Sequence, residues 1–202
     1  MITIHGMHDS GNCYKPRLLM AKLGRPFRHV EVNSMDGSTH APDFLAKNPN
    51  GKVPLLEMAD GRLLAESNAM LLFLGEGTRF VPDDAFKRAL VYQWLFFEQY
   101  SHEPYVAVRR SLMRYPQMAD QAPPARMATL LERGNKALSV MDIRLSASPF
   151  LAGAAPSVAD IALFAYTHCA DEGGFVLEDF PAVCAWLDRV RALPGFRPML
   201  PA

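Results

Sequence analysis

The stretch Asp9-Ser10-Gly11-Asn12-Cys13-Tyr14-Lys15 brings a hydroxyl, a carboxamide and a thiol together within a few residues. It follows a short apolar run, Met1 to Ile4, and leads into a helical pattern whose apolar side includes Leu18, Leu19 and Leu23. A strand that turns into a helix at this point aims the first backbone N–H groups of the helix at whatever occupies the turn. Those groups lack intrahelical partners, and the helix dipole adds partial positive charge, so the corner favours an anion. Ser10, Asn12 and Cys13 are the side chains placed to act on it.

Three further stretches carry a chemical signal. In Asn48-Pro49-Asn50-Gly51-Lys52-Val53-Pro54-Leu55-Leu56, a proline stands inside an incipient strand, where it cannot donate to a ladder. Spacing leaves two readings open. Val53-Pro54 is cis, with the Val53 backbone turned outward to pair with a peptide-like ligand, or Pro54 merely starts a strand after a turn. Glu66-Ser67-Asn68 opens a helix, and its capping serine and free N–H groups suit a carboxylate, with Glu66 suited to an ammonium group. Capping alone also accounts for Ser67. Ser157-Val158-Ala159-Asp160 before an apolar run is a capping box, and its role is structural.

These groups need elements to position them. Ile2 to His5 reads as a strand, Tyr14 to Leu23 as a helix closed by Gly24, and Phe27 to Val32 as a second strand. Pro16 is tolerated only in the first turn of that helix. A polar stretch from Asn33 to Asn50 holds one short helix around Asp43 to Lys47. Val53 to Met58 and Arg62 to Leu64 form a hairpin through Asp60-Gly61, and Glu66 to Leu74 is a helix ended by Gly75. Strand, helix, strand, hairpin, helix is a thioredoxin-like order, with the parallel crossover made by a helix. The remainder is helical. A rod from Asp84 to about Arg114 is bent by Pro104, a second helix opens at Pro123-Pro124, Ser157 to about Ala170 is a buried central helix, and Pro181 to Leu193 carries Trp186. The domains read as residues 1–75, a linker over 76–83, and an all-helical domain over 84–202.

Composition narrows the function classes. With 202 residues, half of them hydrophobic, the chain can bury a full-sized core. Its formal net charge of zero argues against nucleic acid or an anionic membrane as a partner of the whole molecule. Arg109, Arg110 and Arg114 read as a solvated helix face, and His102 as a surface residue near the bend. No secretory leader or membrane span is read. Cys13, Cys169 and Cys184 have no CxxC spacing, which argues against a disulfide framework and for a reducing cytoplasm. The six histidines lack ligand spacing, so no metal is expected.

Taken in order, Ser10-Gly-Asn-Cys-Tyr-Lys, Asn48-Pro-Asn-Gly-Lys-Val-Pro54, Glu66-Ser67-Asn68-Ala69 and Ser157-Val-Ala-Asp160 resemble a soluble glutathione S-transferase over essentially the whole chain. The likeness is to the bacterial branch nearest the theta and zeta classes. It implies an α/β thioredoxin-like N-terminal domain that binds glutathione, an all-α C-terminal helical bundle shaping a second-substrate site, and a homodimer, helped by exposed apolar candidates on the Glu66–Leu74 and Asp84–Arg114 helices such as Met70 and Phe73. It also implies that Val53-Pro54 is cis. Ser10 falls where zeta-type enzymes place the serine that bonds the glutathione sulfur. Val53 matches the residue that pairs with the cysteinyl backbone, and Glu66 and Ser67 match the pair holding the γ-glutamyl end. The resemblance also implies that Lys52 contacts the tripeptide and that His40 reaches its glycyl end.

The chain departs from that pattern in places. No tyrosine stands near the end of the first strand, so the tyrosine-dependent classes are no guide, and Asn12 stands where zeta enzymes carry cysteine. Ser10 ranks first as the activating group, Asn12 second and Cys13 third. The expected reaction is attack of the glutathione thiolate on an electrophilic, largely apolar small molecule. A glutathione-dependent isomerase or thiol reductase using Cys13, or a binding protein with little turnover, are the alternatives. Met7, His8, Tyr100, Tyr105, Arg109 and Tyr166 are the candidate walls of the second-substrate pocket, each also readable as packing.

Overall fold

The structure is a computed structural model that describes residues 1–199. Two compact units emerge: Met1–Glu76 together with residues 193–199, and Gly77–Ala192.

In the first unit β1 (Ile2–Gly6) lies between β2 (Phe27–Glu31), which runs parallel to it, and β3 (Leu55–Glu57), which is antiparallel. β4 (Leu63–Leu64) completes the sheet in the order β2-β1-β3-β4. This is the expected thioredoxin-like arrangement. Gly61, at φ 84°, makes the β3–β4 turn, a backbone state that costs glycine little. α1 (Gly11–Lys22) is the crossover between β1 and β2, and it packs against α3 (Ser67–Gly75). The short α2 (Pro42–Leu45) follows a 3-10 turn at Ser38–His40. The Val53-Pro54 bond is cis, as the resemblance implies.

α1 begins earlier than its apolar pattern suggests, because the Ser10 side chain caps it and Tyr14 N–H already bonds to Ser10 O at 2.8 Å. Pro16 therefore stands beyond the first turn, where it removes the helical donor for the Asn12 carbonyl. The far end closes as read. Gly24 is left-handed at φ 63°, and Arg25 N–H bonds back to Met20 O at 3.0 Å, a Schellman closure. The segment from Leu193 returns to this unit: Lys22 Nζ donates to Leu193 O at 3.4 Å and the Tyr14 hydroxyl donates to Arg197 O. The sequence alone groups this segment with the helical domain, whereas it packs with the first unit.

The second unit holds α4 (Ala85–Phe97), α5 (Glu103–Arg114), α6 (Pro124–Ala147), α7 (Val158–Thr167) and α8 (Pro181–Ala192). A π-helical turn at Glu98–His102 separates α4 from α5, and Pro104 sits in the first turn of α5, so the helical rod is interrupted next to Pro104. The Ser157–Asp160 capping box is present, and every residue of α7 is buried. The stretch read as a linker is partly core: Phe80 and Val81 are buried, and Val158 N–H donates to Phe80 O at 2.9 Å.

Three surface readings give way to buried ones. His102 is fully buried and shares a 3.0 Å hydrogen bond between its Nε2 and Thr167 Oγ1. Arg110, only 2% exposed, is held by Glu172 through its Nε at 2.9 Å and its Nη2 at 2.8 Å, so the arginine cluster is a clamp rather than a solvated face. Glu172 is a long-range partner that helical periodicity does not reveal. Met70 points into the core, whereas Phe73 is 46% exposed. Among the described residues no helix is long and apolar enough to cross a membrane.

Candidate functional site

The β1–α1 corner is built by close approach. A Cβ at Gly6 would lie 2.5 Å from the Cys13 sulfur, so β1 ends on glycine because the first turn of α1 presses directly against it. Ser10, the N-cap, is partly exposed, and its Oγ accepts the Cys13 N–H at 3.4 Å. Asn12 is also partly exposed, and its side-chain oxygen accepts the Ser67 hydroxyl at 3.2 Å. Ser10, Asn12 and Ser67 therefore come from two helix starts that face each other.

Cys13 is different. Its side chain is fully buried, and burial pushes its pKa up to about 11, although the Ser10 hydroxyl, the Met7 amide and the Arg17 charge all pull the other way. A thiol of that kind is almost entirely protonated at neutral pH and is a poor nucleophile.

Glu66 occupies the N-cap of α3 with φ 67° and ψ 111°, and it is the one non-glycine residue at positive φ among those described. Such a conformation costs about 1–3 kcal/mol and clusters at ligand sites. The expected cap, Ser67, is instead the first helical residue. Its hydroxyl donates to Asn12 and accepts from Lys15 Nζ at 3.2 Å. Lys15 is fully buried and also reaches Asn68 Oδ1 at 3.3 Å. Sequence reasoning gave Lys15 no role, because its partners Ser67 and Asn68 lie on another helix. In the adjoining loop the Lys52 carbonyl accepts from Asn48 Nδ2 at 2.7 Å. Lys52 and His40 are exposed, and a Cβ at Gly51 would lie 3.4 Å from His40 Nε2, so His40 sits beside this loop.

The residues read as second-substrate walls have varied surroundings. Met7 is buried, with its sulfur 3.0 Å from Ser34 Oγ. Tyr100 is open to solvent, and Tyr166 is buried. Tyr105 accepts from Arg133 at 2.9 Å. Arg109 donates to Gly173 O and Met127 O, both at 2.6 Å, which ties α5 to α6 and to the 3-10 turn Ala170–Gly173. His8 pairs with Glu31, which also takes His29 Nε2. Burial lowers the pKa of His29, with the neighbouring His8 and Arg17 charges adding to the shift and the Glu31 hydrogen bond opposing it.

The chain matches the profile of the glutathione S-transferase N-terminal domain over residues 9–76 and that of the C-terminal domain over residues 97–194. A glutathione S-transferase crystal structure from Pseudomonas fluorescens Pf-5 superposes with a TM-score of 0.95 at 48% identity, covering 99% of each chain. The disulfide-bond oxidoreductase YfcG of Escherichia coli is 30% identical, covering 91% of this chain and 87% of that protein. Glutathione S-transferase 2 of Anopheles gambiae is 34% identical over 83% of this chain and 82% of its own length. With its thioredoxin-like sheet, its helical unit and these matches along nearly its whole length, the chain belongs to the glutathione S-transferase family.

Proposed function

We propose that the protein is a glutathione transferase of the serine-dependent, theta/zeta-like kind, in which Ser10 and the start of α1 hold the glutathione sulfur as thiolate. The observation that carries this reading is the double capacity of Ser10. Its oxygen caps the helix by accepting the Cys13 N–H, while its single proton can be given to an incoming sulfur. The Cys13 sulfur borders the same hydroxyl, but a neutral thiol is a weak acceptor and a thiolate displaces it.

The magnitudes are sufficient. A free thiol has a pKa of about 8.5, and lowering it by roughly two units takes about 2.7 kcal/mol. A hydrogen bond to a charged group contributes about 1.5–3 kcal/mol, and a helix N-terminus up to about 1–2 kcal/mol. Asn12 assists from the next turn position. Glu66 and the N-terminus of α3 receive the γ-glutamyl ammonium and carboxylate, Val53 pairs with the cysteinyl backbone, and Lys52 and His40 face the glycyl end. The thiolate then attacks an electrophilic carbon. The protein acts as a homodimer in the cytoplasm, and the exposed Phe73 of α3 supports a covered apolar face.

Ser10→Ala should raise the kinetic pKa of bound glutathione by about 1–2 units and lower turnover at pH 7 about 10- to 100-fold. Ser10→Thr, which keeps both hydroxyl and cap, should retain most of the activity. An unchanged pH–rate profile in Ser10→Ala overturns the assignment.

A second reading draws on the name of the Escherichia coli relative. The same thiolate can attack a disulfide sulfur, releasing a thiolate and leaving a mixed disulfide that a second glutathione resolves to glutathione disulfide. The buried state of Cys13 supports a route that uses glutathione sulfur alone. Parallel assays with a chloronitrobenzene and with hydroxyethyl disulfide separate the two reactions.

A further inference from the structure

β2 is an edge strand, and its alternation puts His29 and Glu31 on one face. Gly6 is the register partner of Glu31, and Val32 N–H bonds to Gly6 O at 3.3 Å, so the chain leaving β1 crosses the end of β2. That crossing lays His8 on His29, with ring centroids 4.1 Å apart. His8 Nδ1 then lies 2.8 Å and His29 Nε2 2.9 Å from the same oxygen, Glu31 Oε2. The second Glu31 oxygen accepts the His8 backbone N–H at 3.2 Å, which aims the first at the two rings.

We propose that His8, His29 and Glu31 form a binding site for one borderline divalent transition-metal ion of the zinc, nickel or cobalt type. Their ligand atoms all fall within 4.8 Å of one another. Metal–ligand bonds of about 2.0–2.1 Å in a tetrahedron place ligand atoms about 3.3 Å apart, so the two imidazole nitrogens move about half an ångström away from Glu31 and settle at that same spacing from each other, a rotamer-scale adjustment from atoms already within 4.8 Å. Two imidazole nitrogens and one carboxylate suit a borderline ion better than calcium or magnesium, which take oxygen. His29 Nδ1 is buried and has no hydrogen-bond partner among the described residues, so Nε2 is the nitrogen that this ring can offer.

The Glu31 side chain is 47% exposed and the His8 side chain 38%, so an ion can enter and keep a water as its fourth ligand. Arg17, which donates to the His8 carbonyl and interacts electrostatically with Glu31, tempers the affinity for a cation. Because His8 stands two residues before Ser10, an occupied site pins the turn that carries the proposed sulfur-binding hydroxyl.

The test uses the untagged full chain and zinc alone, followed by calorimetry, with cobalt(II) absorption as a spectroscopic check. One ion per chain is expected, with a zinc-dependent rise in melting temperature. His29→Ala and the nearly isosteric Glu31→Gln should each weaken binding at least about 10-fold and abolish the thermal shift. His5→Ala, which removes a histidine bonded to Glu57 instead, should leave binding unchanged. If His29→Ala unfolds, Glu31→Gln alone decides. The absence of binding, or equal affinity in Glu31→Gln, overturns the site.

Discussion

The Lys15 ammonium stands 3.2 Å from the Ser67 hydroxyl, which in turn donates to the Asn12 side-chain oxygen at 3.2 Å. This chain of contacts locks the first turns of α1 and α3 together, and it joins the sulfur end of the proposed glutathione site to its γ-glutamyl end. An ammonium group removed from water is tolerated only where polar atoms surround it. Lys15 therefore acts as a positioning residue that orients Ser67.

Lys15→Met keeps the length of the side chain and removes its charge. Losing a charge-assisted hydrogen bond of about 1.5–3 kcal/mol should raise the KM for glutathione about 10-fold or more, with a smaller change in kcat, because the sulfur corner at Ser10 is left in place. Steady-state kinetics with glutathione as the varied substrate checks this. A fall in kcat at unchanged KM would contradict the positioning role.

What the sequence made legible was local. Gly24, the Ser157–Asp160 box and Pro104 each act on their own few residues, and each element boundary they signal is present. Contacts between distant segments were not legible. Lys15 with Ser67, Arg110 with Glu172, and His8 with His29 and Glu31 depend on strand register and helix packing, which spacing along one element does not encode. His102 was misread for the same reason, since its partner Thr167 lies on another helix. At Glu66, capping logic pointed to Ser67, and the unusual positive φ of Glu66 moves the cap back by one residue.

That φ of 67° separates two roles of Glu66. Glu66→Gly relieves the backbone cost and should raise stability by up to about 1 kcal/mol, even though glycine gains freedom in the unfolded chain. The same change should weaken glutathione binding by removing the carboxylate. Glu66→Gln keeps the strained backbone and should weaken binding without the gain in stability. Chemical denaturation and calorimetry on both variants make the comparison. If Glu66→Gly binds glutathione as tightly as the native chain, the ammonium-binding role falls.

The buried thiols give a pH dependence. Burial raises the pKa of Cys13 from 9.0 to about 11 and that of Cys169 from 9.0 to about 12. Above pH 9 the unfolded chain therefore holds fewer protons than the folded one, and stability falls as pH rises. The contribution is complete below pH 9 and drains away between pH 9 and about pH 12. Melting temperature should drop more steeply over this range in the native chain than in Cys13→Ala. At pH 8, alkylation should mark Cys184, the least buried of the three, before either of the others. Rapid labelling of Cys13, read by peptide mass, would restore the thiol-reductase reading that rests on it.

Asp160 is where the helical unit should be most sensitive to a single change. Its carboxylate lies fully buried and accepts the Leu151 N–H at 3.0 Å, the Ser157 N–H at 2.9 Å, the Ser157 hydroxyl at 3.1 Å and Trp186 Nε1–H at 3.0 Å. It thus caps α7, closes the preceding loop and anchors α8 through the buried Trp186. Asp160→Ala strands several donors away from water, each worth about 1–3 kcal/mol when unsatisfied. The total should reach about 3–5 kcal/mol, at the upper end for a single substitution. Asp160→Asn keeps the shape but turns one acceptor oxygen into a donor that faces other donors, so it should cost nearly as much. Trp186→Phe removes the indole donor and leaves a void in the core where the larger ring packed, so it should cost about 2–4 kcal/mol. In a double-mutant cycle the losses of Asp160→Ala and Trp186→Phe should fall short of their sum, because both remove the same hydrogen bond. Urea denaturation followed by far-ultraviolet circular dichroism reads the four chains of the cycle and Asp160→Asn, and strict additivity in the cycle would show that the two side chains are not coupled.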